Sequence, residues 1–270
     1  MNAIPEHKTI QIDRLNVCYE DYGSGENPVI FIHGFPFDKS SWKPQLDFLK
    51  PSHRVIAYDV RGFCQSSADD MKASIDQYAA DLVALMDALH IDKAVICGLS
   101  MGGYIALNAI QHYPERFSAI VLCDTQSIAD TSEGKEKRYK TIEQVENGGM
   151  QEFADNYVKK IFTEQTLENR QDIVEQIKNT ILSTPVISIA RTMSAIAQRI
   201  ETASILEDIK VPALILCGSE DQLTPPKQSE FMHEHIKGSV YYVIEGAAHL
   251  SNLEQPEAFN QHLENFLNGL

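Results

Sequence analysis

The sequence predicts an α/β domain, a parallel sheet covered by helices, with a helical segment inserted late in the chain. Three observations carry that reading. Short continuous apolar runs, the pattern of strands buried on both faces, alternate with stretches of helical period. One such run, Ala94-Val95-Ile96-Cys97, passes directly into Gly98-Leu99-Ser100-Met101-Gly102 and then into a helical stretch. Between residues 125 and 204 strand signals vanish, so the chain divides into a core of residues 1–124 and 205–270 and a helical cap of residues 125–204.

Taken in order, residues 8–12 and 16–20 alternate apolar and polar side chains about Asp13-Arg14, which reads as a hairpin at a sheet edge. Residues 28–32 form the first fully apolar run and deliver His33-Gly34-Phe35-Pro36 at its end. Ser40-Ser41 offers a cap for a helix carrying Trp42, Leu46 and Leu49, and a second buried run at residues 55–58 leads to Asp59-Val60-Arg61-Gly62. Tyr78, Ala79, Leu82, Leu85, Met86 and Leu89 share one helical face ahead of the serine-bearing strand. Residues 117–123 are the next strand.

In the cap, three apolar stripes have helical spacing: Met150 to Ile161, Ile173 to Ile181, and Val186 to Ile200, separated by Gly148-Gly149 and Pro185. Strand patterns return at residues 212–217 and 240–244, and a helix over residues 256–267 ends the chain.

Composition narrows the function. With 270 residues and 43% hydrophobic content the chain has ample material for one large core. A net charge of −15 argues against nucleic acid and anionic membranes, which demand clustered Lys and Arg, and leaves a small-molecule substrate. No apolar run approaches ~20 residues, and the first eight residues lack the apolar region of a leader, so a cytoplasmic protein is expected. The five cysteines are scattered, with Cys97, Cys123 and Cys217 inside apolar runs, and suggest neither a disulfide framework nor a metal site. Cys64, with Arg61 as its one basic neighbour in sequence, reads as an inert thiol.

The chemistry is concentrated around Ser100. A serine between Gly98 and Gly102, at a strand-to-helix turn, stands proud of the backbone, and the small flanking residues let the chain fold tightly against itself. The N–H of Met101 then opens a helix where a developing oxyanion would sit. Such a serine needs a histidine to take its proton and a carboxylate to orient that histidine. His249, in Gly246-Ala247-Ala248-His249-Leu250, and Asp221, in Gly218-Ser219-Glu220-Asp221, each follow a predicted strand, as Ser100 does. Asp124 also ends a strand and competes for the acid role; Asp221 is preferred because its strand precedes the histidine strand. His33 reads as a support of its turn.

The motifs His33-Gly34-Phe35, Gly98-Leu99-Ser100-Met101-Gly102-Gly103, Asp124-Thr125 and Ala247-Ala248-His249-Leu250-Ser251-Asn252-Leu253-Glu254-Gln255-Pro256 make the whole chain resemble the α/β-hydrolase superfamily. Within it, the chain is most similar to the 3-oxoadipate enol-lactonase branch of capped esterases and lactonases. That resemblance implies an eight-stranded, mostly parallel sheet, a helical cap over the site, no cofactor and no metal, and hydrolysis through an acyl-enzyme. It also implies that the N–H of Phe35, beside His33-Gly34, is the second oxyanion donor. The reading is a serine hydrolase of small carboxylic esters or lactones; an enol-lactonase proper, a perhydrolase and a ligand-sensing protein on the same fold are its rivals. Cap residues 125–204 hold 10 Lys and Arg against 12 Asp and Glu, the remainder 13 against 26. Neutral esters are therefore expected to be preferred over anionic lactones unless a cation such as Arg191 or Arg199 turns into the pocket.

Overall fold

The computed structural model describes residues 7–68 and 73–270, so the reading of the first eight residues as leaderless lies, for residues 1–6, outside the described residues. Eight strands form one sheet: β1 (Lys8–Ile12), β2 (Leu15–Tyr22), β3 (Val29–Ile32), β4 (Val55–Tyr58), β5 (Ala94–Leu99), β6 (Phe117–Cys123), β7 (Ala213–Gly218) and β8 (Val240–Ile244). Their spatial order is β1-β2-β4-β3-β5-β6-β7-β8. The edge hairpin β1–β2 is antiparallel and β2 meets β4 antiparallel; every other pair is parallel. Every residue of β3, β4, β5 and β7 is buried, which is why these strands read as unbroken apolar runs.

The order of strands places the site. From β3 the chain crosses to β4 on one side, then returns to β5 on the other, so a crevice opens beyond the carboxyl ends of β3 and β5. Ile32 pairs with Gly98, which brings the His33-Gly34 turn level with Ser100. Helices cover the sheet: Ile75–Ala88 packs on Met101–His112, and Lys43–Leu49 on Pro256–Leu267. Trp42, fully buried, lies between the rings of Phe31 and Phe259. Trp42 belongs to a short 3-10 turn, Lys39–Trp42, and the cap is Asp38 rather than Ser40-Ser41, because the Asp38 carboxylate accepts the Ser40 N–H at 2.8 Å.

Between β6 and β7 lie five α-helices: Ser132–Glu146, Met150–Ile161, Glu164–Asn169, Gln171–Ser183 and Val186–Gln198. Three of them match the apolar stripes in the sequence. The other two carry no such stripe. Ser132–Glu146 buries only Val145 and is laced by the i,i+4 ion pairs Glu133–Lys137 and Glu136–Lys140, while Glu164–Asn169 is a short turn capped by Thr163. Among the described residues no single helix is long and apolar enough to cross a membrane.

Candidate active site

Ser100 sits where β5 ends and the helix Met101–His112 begins, at φ 53° and ψ −112°, in the left-handed region that side chains seldom adopt. The strained turn is fixed from both sides. Ser100 N–H donates to Cys123 O at 2.9 Å, and Thr125 Oγ1 donates to Ser100 O at 2.7 Å. A Cβ on Gly98 would stand 2.2 Å from Gly102 O, and one on Gly102 would stand 2.2 Å from Ile32 O. Glycine is thus required at both positions by close backbone approach. Gly103 is packed as closely but against a side chain, its missing Cβ falling 2.3 Å from Thr125 Oγ1.

The histidine loop follows β8 and is tied down at several points. A Cβ on Gly218, the last residue of β7, would lie 2.1 Å from Ala248 O, so the loop seats directly on the end of that strand. His249 N–H donates to Ile161 O at 3.1 Å, and Ala248 N–H donates to Glu254 Oε2 at 2.6 Å. In this position His249 Nε2 lies 2.8 Å from Ser100 Oγ and Nδ1 lies 2.8 Å from Asp221 Oδ2. The carboxylate only accepts, so Nδ1 carries the hydrogen and Nε2 turns a lone pair toward the serine. Asp221 is itself held by the N–H groups of Leu223 and Thr224, at 2.8 and 3.0 Å, and by Thr224 Oγ1 at 2.7 Å.

Asp124 does not hydrogen-bond to His249. Fully buried at φ 44°, it accepts Gly218 N–H at 2.7 Å and Ser251 Oγ–H at 2.5 Å, tying the ends of β6 and β7 to the histidine loop. His33, also fully buried, accepts Val60 N–H at Nε2 and donates from Nδ1 to Gly34 O, both at 2.9 Å. A Cβ on Gly34 would meet Ser100 Cβ at 3.2 Å, so the turn leading to Phe35 lies against the serine. Tyr157 Oη donates to Phe35 O at 2.9 Å and fixes that turn from the helical segment. Met101 is the first residue of its helix, so its N–H has no intrahelical acceptor.

A family model described as the alpha/beta hydrolase fold matches residues 27–162 and 126–256. The chain is 30% identical over 257 residues to 3-oxoadipate enol-lactonase 2 of Acinetobacter baylyi, covering 95% of this chain and 94% of that one. Among solved structures it is similar to a thermophilic esterase from Thermogutta terrifontis, solved with malate bound (TM-score 0.93, 33% identity, 98% of both chains). It is also similar to the enol-lactonase of Burkholderia xenovorans (TM-score 0.90, 28% identity, 97% of this chain and all of the other). The chain belongs to the α/β-hydrolase family. It resembles the enol-lactonase and esterase branch of it.

In this α/β-hydrolase, burial and charge act on the site together. For His249, burial disfavours the cation, but the Asp221 charge and hydrogen bond outweigh it and raise the imidazole above its ordinary value. For Asp221, burial favours the neutral acid, and the charge of His249 with the bonds from His249 and Thr224 overcomes it, leaving the carboxyl below its ordinary range. Asp124 goes the other way: burial, then the neighbouring Asp221 charge, hold its carboxyl well above the ordinary range. The Cys64 thiol is pushed up to about 12, chiefly by desolvation and then by Asp59 and Asp38.

Ser100 and His249 face a cavity of about 160 Å³ whose walls include Phe35, Tyr104, Tyr157, Ile196 and Arg138. Among the described residues, Arg138 is the one lysine or arginine lining this cavity, and the sequence did not single it out. It lies on Ser132–Glu146, the helix with the weakest apolar stripe, and pairs through Nε with Asp130. Arg191 borders a different small cavity with Arg61 and Tyr78, and the buried Arg199 is committed to Asp130, Ile196 O and Ile128 O. In the sequence Glu254 stands out only as part of a motif. Its buried carboxylate joins Ala248 N–H to the N–H and Oγ1 of Thr163, so it clamps the histidine loop to the helical segment. Among the described residues no cluster of three or more His, Cys, Asp or Glu side chains could hold a metal ion.

Proposed function

We propose that this hydrolase cleaves small carboxylic esters or lactones through an acyl-enzyme, with Ser100, His249 and Asp221 as its triad. The observation that carries the reading is the continuous Asp221–His249–Ser100 chain, 2.8 Å at each link, at a cavity wall. Ser100 Oγ attacks the substrate carbonyl as His249 Nε2 takes its proton, and Asp221 stabilises the imidazolium that forms. The N–H groups of Met101 and Phe35 hold the oxyanion. His249 then returns the proton to the leaving alkoxide, or to the ring oxygen of a lactone. Water, deprotonated by His249, next attacks the acyl-enzyme and releases the acid and Ser100.

Residues 125–204 act in this scheme as the cap. Arg138, Tyr157 and Ile196 come from three of its helices to the Ser100 cavity, which supports a role in restricting substrate size. Arg138 is a cap cation of the kind that the expectation of a neutral substrate made its exception, though not one of the two arginines named for it, so esters and lactones bearing one carboxylate fall within the proposed range. The test is labelling of Ser100 by a fluorophosphonate together with turnover of a short-chain nitrophenyl ester. Rapid turnover that the label abolishes supports the hydrolase; labelling without turnover supports a ligand sensor on the same fold.

A further inference from the structure

The Ser100 cavity ends at an aromatic ring with further space behind it. A second cavity, about 300 Å³, adjoins the first, and Tyr104 lines both; among the described residues Gln126 is the one other side chain they share. Tyr104 stands one turn into the helix that follows Ser100, its N–H donating to Ser100 O at 3.3 Å. Helical side chains tilt toward the helix N-terminus, so the turn that presents the serine also carries this ring toward it.

The ring is held from two sides. Its own helix is seated by Gly103, where a Cβ would fall 2.3 Å from Thr125 Oγ1. From the end of the helical segment, the Arg199 guanidinium lies 4.3 Å from the ring centroid, a cation–π contact. Arg199 is itself anchored on Asp130 at 2.8 Å and on Ile128 O and Ile196 O at 2.9 Å. A ring stacked on an anchored cation resists swinging aside for a substrate. Volume gives the consequence: at about 160 Å³ the Ser100 cavity falls short of the ~300–1,000 Å³ common for small-molecule sites, and the two cavities without their partition would fall within it.

We infer that Tyr104 is a specificity-determining residue: its ring closes the Ser100 cavity against the larger chamber and confines substrates to short-chain esters and small lactones. The inference rests on the proposed hydrolase reading and names the size class of its substrate. Once the ring is removed, Ile75, Ala195 and Ile200 of the chamber offer apolar surface to an alkyl chain. The test measures kcat/KM in two series, nitrophenyl acetate against nitrophenyl hexanoate on the acyl side and methyl acetate against hexyl acetate on the alcohol side. The wild-type protein prefers the short member in at least one series, and there Tyr104→Ala raises the long-to-short ratio about tenfold. Tyr104→Leu, a milder trimming, raises it less, and Tyr104→Phe, which keeps the ring, does not move it. Refilling the chamber with Ala195→Phe in the Tyr104→Ala background cancels the gain; should thermal unfolding show that this pair does not fold, Ala73→Phe refills the chamber from another wall. No preference for the short member in either series, a ratio that neither Tyr104→Ala nor Tyr104→Leu moves, or a gain that survives the refilled chamber overturns the inference. If the wild-type protein turns over none of these esters, the hydrolase reading fails separately. Calorimetry of hexyl acetate with Ser100→Ala then decides for the ring: binding that appears or tightens several-fold on adding Tyr104→Ala supports it, and binding that stays absent or unchanged overturns it.

Discussion

The two walls of the Ser100 cavity are built on different terms. The sheet side, made of the turns after β3, β5, β7 and β8, holds its side chains by backbone necessity: Gly98, Gly102 and Gly218 stand where any Cβ would collide with a carbonyl oxygen. The helical side contributes Arg138, Tyr157 and Ile196 from helices whose backbone tolerates any good helix former. Positions on the first wall are thus constrained by local geometry, and positions on the second only by what they touch. The first wall is where the chemistry should be lost on substitution, the second where selectivity should change.

The sharpest break in that comparison is Ser100→Ala. Loss of a triad nucleophile is expected to cut kcat by on the order of 10³–10⁶-fold while thermal unfolding stays near that of the parent. Substantial remaining turnover would move the chemistry away from the sheet wall altogether.

Next in size is the contrast between two buried acids. Asp221→Asn should lower kcat by about 10³–10⁴-fold, because the amide can no longer stabilise the imidazolium or fix its tautomer. Asp124→Asn should lose less than about tenfold: Asp124 makes no hydrogen bond to His249, and an amide in its place still accepts Gly218 N–H through its oxygen while its NH2 can donate to Ser251 Oγ. The pH profile separates the two further. With His249 as the proposed base, activity requires its neutral form, and because its pKa is raised the acid limb of kcat/KM should lie above that of an ordinary histidine. Asp221→Asn should shift that limb downward in its residual activity, and Asp124→Asn should leave it in place. The reverse ranking would make Asp124 the acid.

How much of this could be read from the sequence follows the same division. The strands, the serine turn and the order Ser100, Asp221, His249 were legible because burial on both faces writes an apolar run and a tight turn writes glycine. Two helices were not, since Ser132–Glu146 buries a single side chain and its stability rests on ion pairs that leave no periodic apolar trace. Arg138 was hidden with that helix, and Arg199, which could be named, is spent on Asp130 and carbonyls. Glu254 was visible only as a motif letter, because nothing in the sequence says that it meets Thr163, 91 residues away.

That contact predicts the next effect, on stability rather than rate. Glu254→Ala strips acceptors from Ala248 N–H and from both donors of Thr163, all buried, and should cost roughly 2–4 kcal/mol. Glu254→Gln, which keeps one carbonyl oxygen, should cost about half of that. Chemical denaturation of the two variants measures it; equal stability of Glu254→Ala and the parent would mean that the two walls are not clamped there.

The smallest effect tests whether the helical wall sets substrate charge. The chain carries −15, a field that lowers the concentration of an anionic substrate at long range and is screened beyond a Debye length of ~8 Å at physiological salt. Arg138 opposes that field at short range, where salt acts less. Asp130 offsets it only in part, because that carboxylate is shared with Arg199. Arg138→Gln should therefore lower kcat/KM for a monoanionic ester such as monomethyl succinate by about 3–10-fold, and by much less for methyl butanoate. Salt gives the decisive readout. With the local cation gone, the remaining repulsion is long-range, so the variant's rate on the anion should rise as salt is added more steeply than the parent's does. Equal losses on both esters, with the same salt dependence as the parent, would reduce Arg138 to a partner of Asp130 and return the neutral ester as the preferred substrate.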